Sequence, residues 1–185
     1  MTGADSVTQP TAALAGTSAA AVPAAVGGPP PPPVASLDFT RAGHPTGAAA
    51  VHLRFDIVAL ARRGGLLELS TRITNEQAHT KAADGTPADV SWDINGFQAP
   101  DRPDIHQPIG SDQFSGVSLI DGVGRKRYLV AADAARRCAC SSYTDSIDSG
   151  QSIALSAVFA APPTTTTKID VDIATIGTFH DVPIS

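Results

Sequence analysis

Apolar and polar residues alternate with a period of two along several short stretches that follow residue 49. Successive side chains of a β-strand point to opposite faces, so this period predicts strands with one buried face. The first two stretches run through residues 51–58 and 67–74. The turn-forming triplet Arg63-Gly64-Gly65 lies between them, and the two stretches are therefore predicted to form a hairpin.

The second half of the chain repeats this pattern. A short apolar strand is predicted at 117–120, a turn at 121–124 and a return strand at 125–130. Further strands are predicted over 151–159, 164–173 and 179–184, whereas residues 131–137 allow one helical turn at most. Because short strands and turn signals dominate, the sequence predicts an all-β fold, an antiparallel two-sheet sandwich over 49–185.

Residues 1–48 differ in composition, since their first 36 residues are rich in Ala and Pro and carry Asp5 as their one charged residue. Such a segment buries too little apolar surface to offset the entropy of ordering it, so it is predicted to be a disordered leader or tether. No Lys or Arg precedes Arg41, so the basic start of a secretory signal is lacking. The tetrad Leu14-Ala15-Gly16-Thr17 has the shape of a lipoprotein cleavage box, but Thr17 stands where the lipidated Cys belongs.

Residues 75–114 contain several prolines and glycines and predict a long loop, with a short strand near 90–94 anchored by Trp92. Long loops in compact domains are often functional, so this loop is a predicted contact surface, together with residues 131–149. The candidate partner-binding residues are Trp92, Phe97, Asp101, Asp104 and His106. Asp101, Asp104 and His106 match no metal-ligand spacing, and we interpret them as part of a solvated loop.

Composition and charge argue against several classes of function. The net charge of −5, with only 13 Lys and Arg, argues against nucleic acid as a partner, because phosphate neutralisation needs a basic face. No apolar run approaches the ~18 residues of a membrane span.

Catalytic motifs are also missing from the sequence. It contains no G-x-S-x-G motif, phosphate-binding glycine loop or EF-hand loop. His52 is predicted to point outward from its strand, and Asp170 and Asp172 beside Lys168 indicate an ordinary polar sheet face. His180-Asp181 suggests an orienting pair without a nucleophile nearby. We therefore predict no enzyme activity, no cofactor and no metal.

The two cysteines, Cys138 and Cys140, are separated by one residue. This spacing is too short for the usual zinc pair, and no second pair completes four ligands. Three readings stay open: a structural disulfide in an exported protein, a plain reduced pair, or a redox-active pair whose thiol pKa is lowered by the neighbouring Arg136 and Arg137. A disulfide across so small a loop removes little chain entropy, so it would hold a local turn and not the fold.

An ordered series of short motifs carries a family resemblance: Gly116–Asp121, Arg125–Val130, Cys138–Ser141, Gly150–Ser152, Phe159–Pro163 and Phe179–Ile184. The series resembles a β-sandwich domain of actinobacterial exported and envelope proteins, often found ahead of a peptidoglycan-binding OmpA-like domain, and is similar to telokin-like, immunoglobulin-type extracellular domains. The resemblance implies an immunoglobulin-like sandwich, an export address, an oxidised cysteine pair and no enzyme activity. An OmpA-like domain would begin where this sequence stops, so wall binding by such a domain is not carried over.

Together these observations predict a non-enzymatic cell-envelope or secreted binding or structural module that contacts a protein or cell-wall partner. The expected location is extracellular or in the cell envelope, with the cytoplasm as the alternative. Two other functions stay open. One is a thiol-based redox factor using Cys138 and Cys140. The other is a subunit of a larger assembly, in which an open sheet edge accepts a partner strand.

Overall fold

The computed structural model describes residues 31–41, 50–77, 80–81, 87–88, 92–93, 97, 112–143 and 146–185. Contacts divide the chain into Met1–Pro30 and Pro31–Ser185, and every described residue lies in the second unit. The described residues form strands and turns and contain no helix. The predicted all-β class is confirmed.

Fourteen strands are present in the described residues, and eight of them are four residues or longer. In chain order they are β1 (Ala35–Arg41), β2 (Val51–Arg63), β3 (Leu66–Asn75), β4 (Thr80–Lys81), β5 (Pro87–Ala88), β6 (Trp92–Asp93), β7 (Asp112–Gln113), β8 (Val117–Asp121), β9 (Lys126–Leu129), β10 (Ser142–Tyr143), β11 (Ser146–Ile147), β12 (Ser152–Ala160), β13 (Lys168–Ile173) and β14 (Gly177–Pro183).

The eight longer strands form two antiparallel sheets. The first sheet has the order β1-β2-β3-β12 and the second has the order β14-β13-β8-β9. The remaining strands pair in twos, as β4 with β5, β6 with β11, and β7 with β10. The predicted hairpin between β2 and β3 is confirmed: Arg63 pairs with Leu66 across Gly64 and Gly65. Gly64 has φ +60°, a conformation that favours glycine.

The two sheets pack face to face through alternate residues of their strands. In β2, the inward residues Val51, Leu53 and Phe55 are at most 1% exposed. Phe55 contacts Phe179 of the second sheet, with ring centroids 5.7 Å apart. Burying a side chain of this size contributes about 1.5–3 kcal/mol, so the shared apolar layer is the main stabilisation of the fold. The predicted two-sheet sandwich is confirmed.

The residues that follow β9 and β14 of the second sheet pair with strands of the first sheet. After β9, Val130 forms a bridge with Phe159 of β12. After β14, the Ser185 N–H donates to the Leu60 carbonyl at 3.0 Å, and the Arg62 N–H donates to the Ser185 carbonyl at 2.7 Å. These backbone bonds tie the two sheets together beyond their side-chain contacts.

The strand β1 was not predicted, because its residues fall within the 1–48 range assigned to the leader. Apolar Ala35, Leu37 and Phe39 do alternate with polar residues, but this short pattern directly follows the Ala- and Pro-rich residues and was assigned with them to the leader. Backbone pairing with β2 forms the strand, with Leu37 opposite Phe55 and Phe39 opposite Leu53. Composition alone does not report such pairing. Two smaller differences are that β13 begins at Lys168 and not at 164, and that residues 131–137 contain a turn and no helical segment.

Candidate functional site

The predicted contact residue Phe97 lies in the core and not on a partner-binding surface. Its side chain is fully buried. Its ring lies 6.3 Å from Phe55, 5.9 Å from Phe114 and 5.9 Å from Tyr143, measured between centroids. Its position in a Pro-rich stretch suggested a contact role, but burial of its large apolar surface outweighs the local composition.

The other predicted contact residues are only partly described. The backbone of Trp92 pairs with Ile147 in the β6–β11 ladder. The Trp92 side chain and the residues Asp101, Asp104 and His106 lie outside the described residues. Their role in binding stays a prediction.

A β-bulge near the end of β14 builds the most distinctive polar arrangement of the second sheet. Val171 pairs with Phe179 and Ile169 pairs with Val182, so both His180 and Asp181 lie opposite Asp170. Asp181 has φ +55°. Bulges of this kind redirect side chains and are frequent at sheet edges and next to functional sites.

The carboxylate of Asp170 fixes the bulge. It accepts a hydrogen bond from the Asp181 backbone N–H at 2.9 Å and contacts Nδ1 of His180 at 3.1 Å. Both contacts hold the pKa of Asp170 below its ordinary value. The hydrogen bond from the Asp181 N–H makes the larger contribution, and the contact with His180 makes a smaller one. Because an ionised carboxylate only accepts hydrogen bonds, Nδ1 of His180 is the donor in this contact. The His180 side chain is 74% exposed.

A shallow depression of about 360 Å³, here called the bulge groove, lies beside this pair. It is lined by Ile120, Val123, Lys168, Asp170, His180 and Asp181, among others. Val123 at the tip of the β8–β9 hairpin is 99% exposed. The hairpin turn is held by Asp121, whose Oδ1 accepts a hydrogen bond from the Gly124 N–H at 2.7 Å. The groove continues past Lys168 toward the threonines at 165–167.

The bulge groove combines one ammonium, one imidazole and carboxylates with three aliphatic side chains, those of Ile120, Val123 and Ile169. Lys168 and Asp181 line both parts of the depression. Such a mixture suits a ligand that offers hydrogen-bonding groups together with a small apolar group. In the part of the chain that the structure describes, no group of three or more His, Cys, Asp or Glu side chains is arranged to hold a metal ion.

The second candidate feature is the segment that contains the cysteines. Cys138 and Cys140 are joined by a disulfide. We call residues 130–141 the edge segment, because they lie along the outer edge of β12, with Val130 opposite Phe159 and Cys140 opposite Ala157. The turn within it is fixed by Asp133, whose pKa is lowered by hydrogen bonds from the Arg137 backbone and side chain.

A third polar cluster lies on the outer face of the first sheet. Asp56 is 2% exposed and accepts hydrogen bonds from Ser36 Oγ at 2.7 Å, Arg54 Nε at 2.9 Å and an Arg72 guanidinium nitrogen at 2.6 Å. Burial alone raises the pKa of this carboxyl, but the hydrogen bonds from Arg72, Ser36 and Arg54 outweigh it, and the net pKa is lowered. All acceptor groups of this cluster are engaged, so we interpret it as structural.

Sequence reasoning found only part of these arrangements. It singled out His180 with Asp181, whereas the side-chain partner of His180 is Asp170. It also treated Asp170 as an ordinary polar position. The bulge that brings the two residues together leaves no signature in the sequence, because the positive φ of Asp181 is seen only in the structure.

Comparisons with family models, with curated proteins and with solved structures found no match. Within the described residues, no helix is long and apolar enough to cross a membrane. The family resemblance drawn from the sequence motifs therefore stays a prediction.

Proposed function

We propose that this protein is an exported, non-enzymatic binding or structural module of the cell envelope or the extracellular medium. The observation that carries the proposal is the Cys138–Cys140 disulfide in a two-sheet sandwich. Disulfides persist in oxidising compartments and are rare where thioredoxin and glutathione keep thiols reduced. The resemblance to exported β-sandwich domains points the same way.

The bulge groove is the surface that we assign to partner binding. It is lined by the sheet residue Ile120 and the hairpin residue Val123, and its polar lining includes Lys168, His180 and Asp181. Side chains on paired strands are held more firmly than side chains on long loops, so this site is preorganised for a protein or cell-wall partner.

The alternative function, a thiol-based redox factor, has less support. A redox-active cysteine is accessible and lies in an electropositive environment. Both cysteines are half-buried and pack against the core. Arg137, one of the two neighbouring arginines, is paired with Asp133 at 2.7 Å. These contacts argue against a catalytic thiol and favour a disulfide that restrains the local backbone.

Differential thiol alkylation with an intact-mass readout, on protein taken from separate cell fractions, tests the location. We expect both cysteines to be protected until reduction, in protein from the envelope or the medium. The mature mass also reports any cleavage or lipid at the N-terminal side. Two free thiols in protein from the cytosolic fraction would overturn the export proposal.

Partner capture from the envelope fraction tests the bulge groove. The immobilised protein is compared with a Lys168→Ala/His180→Ala double variant and with Lys126→Ala, an exposed residue of β9 that is not among those lining the groove. We expect a partner that is retained by the unchanged protein and by Lys126→Ala but lost by the double variant. Equal retention by all three proteins contradicts binding at the groove.

A further inference from the structure

The outer edge of β12 is covered by the chain's own edge segment through backbone hydrogen bonds. The Val158 N–H donates to the Ala139 carbonyl at 2.9 Å, and the Val158 carbonyl accepts from the Ala131 N–H at 2.8 Å. Two residues along, the Ser156 carbonyl accepts from the Ser141 N–H at 2.8 Å, and the Ser156 N–H donates to Ser141 Oγ at 2.9 Å. The edge segment therefore takes the place of a further strand of the first sheet.

The disulfide encloses the residue that makes the central contacts of this cover. Ala139, between the two cysteines, donates its N–H to the Ala131 carbonyl at 2.8 Å and accepts from Val158 on its other side. Ala132 and Cys138 form a bridge, as do Cys140 and Ala157. The bond between the sulfurs thus holds Ala139 against β12 and restricts the conformations in which this contact is lost.

We propose that the Cys138–Cys140 disulfide is a lock on the edge of β12, and that its reduction by a dithiol opens this edge to an extended strand of a partner protein. In this exchange a dithiol thiolate attacks one cysteine sulfur to form a mixed disulfide, and the second dithiol sulfur displaces that cysteine. The two cysteines leave as thiols and the reductant leaves as its disulfide. The proposal does not depend on the bulge groove.

The chain itself indicates which kind of partner fits. Residues 139–141 pair with β12 in antiparallel register, with Cys140 opposite Ala157. A partner strand in the same register uses the backbone groups of Ser156 and Val158 and places a small side chain opposite Ala157. An uncovered strand edge is a general template for strand addition, which is why proteins cover such edges.

The expected effect of reduction is local and moderate. The disulfide closes a loop of only three residues, so opening it releases little chain entropy. If the stabilisation comes from loop-closure entropy alone, the reduced protein opens this edge about tenfold more often than the oxidised protein. The two four-stranded sheets and their shared core do not depend on the bond.

Amide hydrogen exchange followed by NMR tests the lock in three forms of the full chain: oxidised, reduced with dithiothreitol, and a Cys138→Ser/Cys140→Ser double variant. We expect the amides of Ser156, Val158 and Ala139 to exchange about tenfold faster in the reduced and double-serine forms. Amides of the β2–β3 hairpin serve as the internal control and keep their rates. Unchanged exchange at β12, or faster exchange throughout the protein, overturns the lock. If the double variant does not fold, the comparison of the oxidised protein with the dithiothreitol-reduced protein tests the lock by itself.

A synthetic peptide of residues 136–143, with serine at both cysteine positions, tests strand addition. We expect it to bind the reduced protein and the double variant, with shifts at the β12 amides, and to leave the oxidised protein unchanged. A peptide of the same composition in scrambled order is the control. Binding to the oxidised protein as well, or to none of the three forms, rules out strand addition at this edge. Neither result bears on the location of the protein, which the alkylation experiment measures.

Discussion

The two outer faces of the sandwich each carry an aspartate on the second strand from a sheet edge, in very different surroundings. Asp56 lies on β2 and is 2% exposed beneath Arg54 and Arg72. Asp170 lies on β13, and its side chain is 32% exposed beside His180. Both carboxyls have a lowered pKa. Side-chain donors on β2 itself and on its two neighbours β1 and β3 lower the pKa of Asp56, whereas the bulge in the edge strand β14 lowers the pKa of Asp170.

The difference follows from strand register. Ser36, Asp56 and Arg72 stand directly opposite one another on β1, β2 and β3, so their side chains meet and exclude water. The pairing is regular at these three residues, and the register shift between β2 and β3 comes further along, between Ile57 and Ala59. Opposite Asp170, two residues occupy the place of one, and this turns His180 outward. Regular pairing therefore produces a closed structural cluster, whereas the bulge leaves polar atoms facing a groove.

The largest expected effect is on stability. Asp56→Ala removes the acceptor of three donors and leaves two guanidinium groups without their carboxylate. Loss of one partner of a fully buried pair costs about 3–5 kcal/mol, and the partial exposure of both arginines reduces this to about 2–3 kcal/mol. For the more exposed Asp170→Ala we expect about 1 kcal/mol or less. Urea unfolding of the two variants measures both values.

Asp56→Asn is the matched control for this comparison, because it keeps the shape of the side chain and removes its charge. We expect an intermediate loss, since the amide still accepts from one donor but no longer pairs with the arginines. Equal destabilisation by Asp56→Ala and Asp170→Ala would show that the two faces do not differ energetically.

The same cluster predicts how stability responds to acid. A carboxyl with a lowered pKa in the folded state stabilises the protein fully above its unfolded pKa of about 3.9, and this contribution is lost as pH falls through the folded pKa. We expect the free energy of unfolding to stay level as pH falls through the weakly acidic range, and to fall below about pH 4. In Asp56→Asn this decline should be shallower. A decline of the same slope in both proteins would assign acid sensitivity to other groups, among them Asp133 and Asp170.

Much of the fold was predictable because period two is a strong signal in strands with one buried face. The strands β2, β3, β8, β9, β12 and β14 lie close to their predicted positions, as does the turn at Gly64-Gly65. The strand β1 was not predicted although Ala35, Leu37 and Phe39 alternate with polar residues, because the composition of the preceding segment outweighed this short pattern. Its pairing with β2 joins segments that are distant in the sequence, and such pairing cannot be read from one segment alone.

The candidate site was harder to predict for the same reason. Asp170 and His180 are ten residues apart, and their contact depends on one additional residue in β14. The sequence pattern assigns Asp170 and His180 to polar positions of two consecutive strands. It does not predict the pairing register that brings the two side chains together. Phe97 illustrates the opposite error, since its Pro-rich neighbourhood suggested a partner contact, whereas its ring packs in the core.

The bulge itself predicts a smaller and more specific effect. Asp181 has φ +55°, a region that is unfavourable for β-branched residues by about 1–2 kcal/mol. We expect Asp181→Val to destabilise the protein by about that amount and Asp181→Gly to be nearly neutral, because glycine adopts positive φ freely and keeps the N–H that binds Asp170. Thermal unfolding of the two variants measures the difference. Equal stability of the valine and glycine variants would mean that the bulge relaxes into regular pairing.

The smallest expected effect concerns how much each of the two hydrogen-bond donors in the bulge lowers the pKa of Asp170. Two donors lower the pKa of Asp170, and the Asp181 backbone N–H contributes more than the His180 ring. In His180→Ala the pKa of Asp170 should therefore rise toward its ordinary value but stay below it, and the amide of Asp181 should stay protected from exchange. NMR titration of the Asp170 carboxyl measures this shift. A pKa that returns fully to the ordinary value would mean that His180, and not the backbone, holds the Asp170 carboxylate. The bulge would then depend on the same imidazole that a bound partner contacts. A partly lowered pKa instead means that the backbone holds Asp170 in place, leaving His180 available to a partner without loss of the site's geometry.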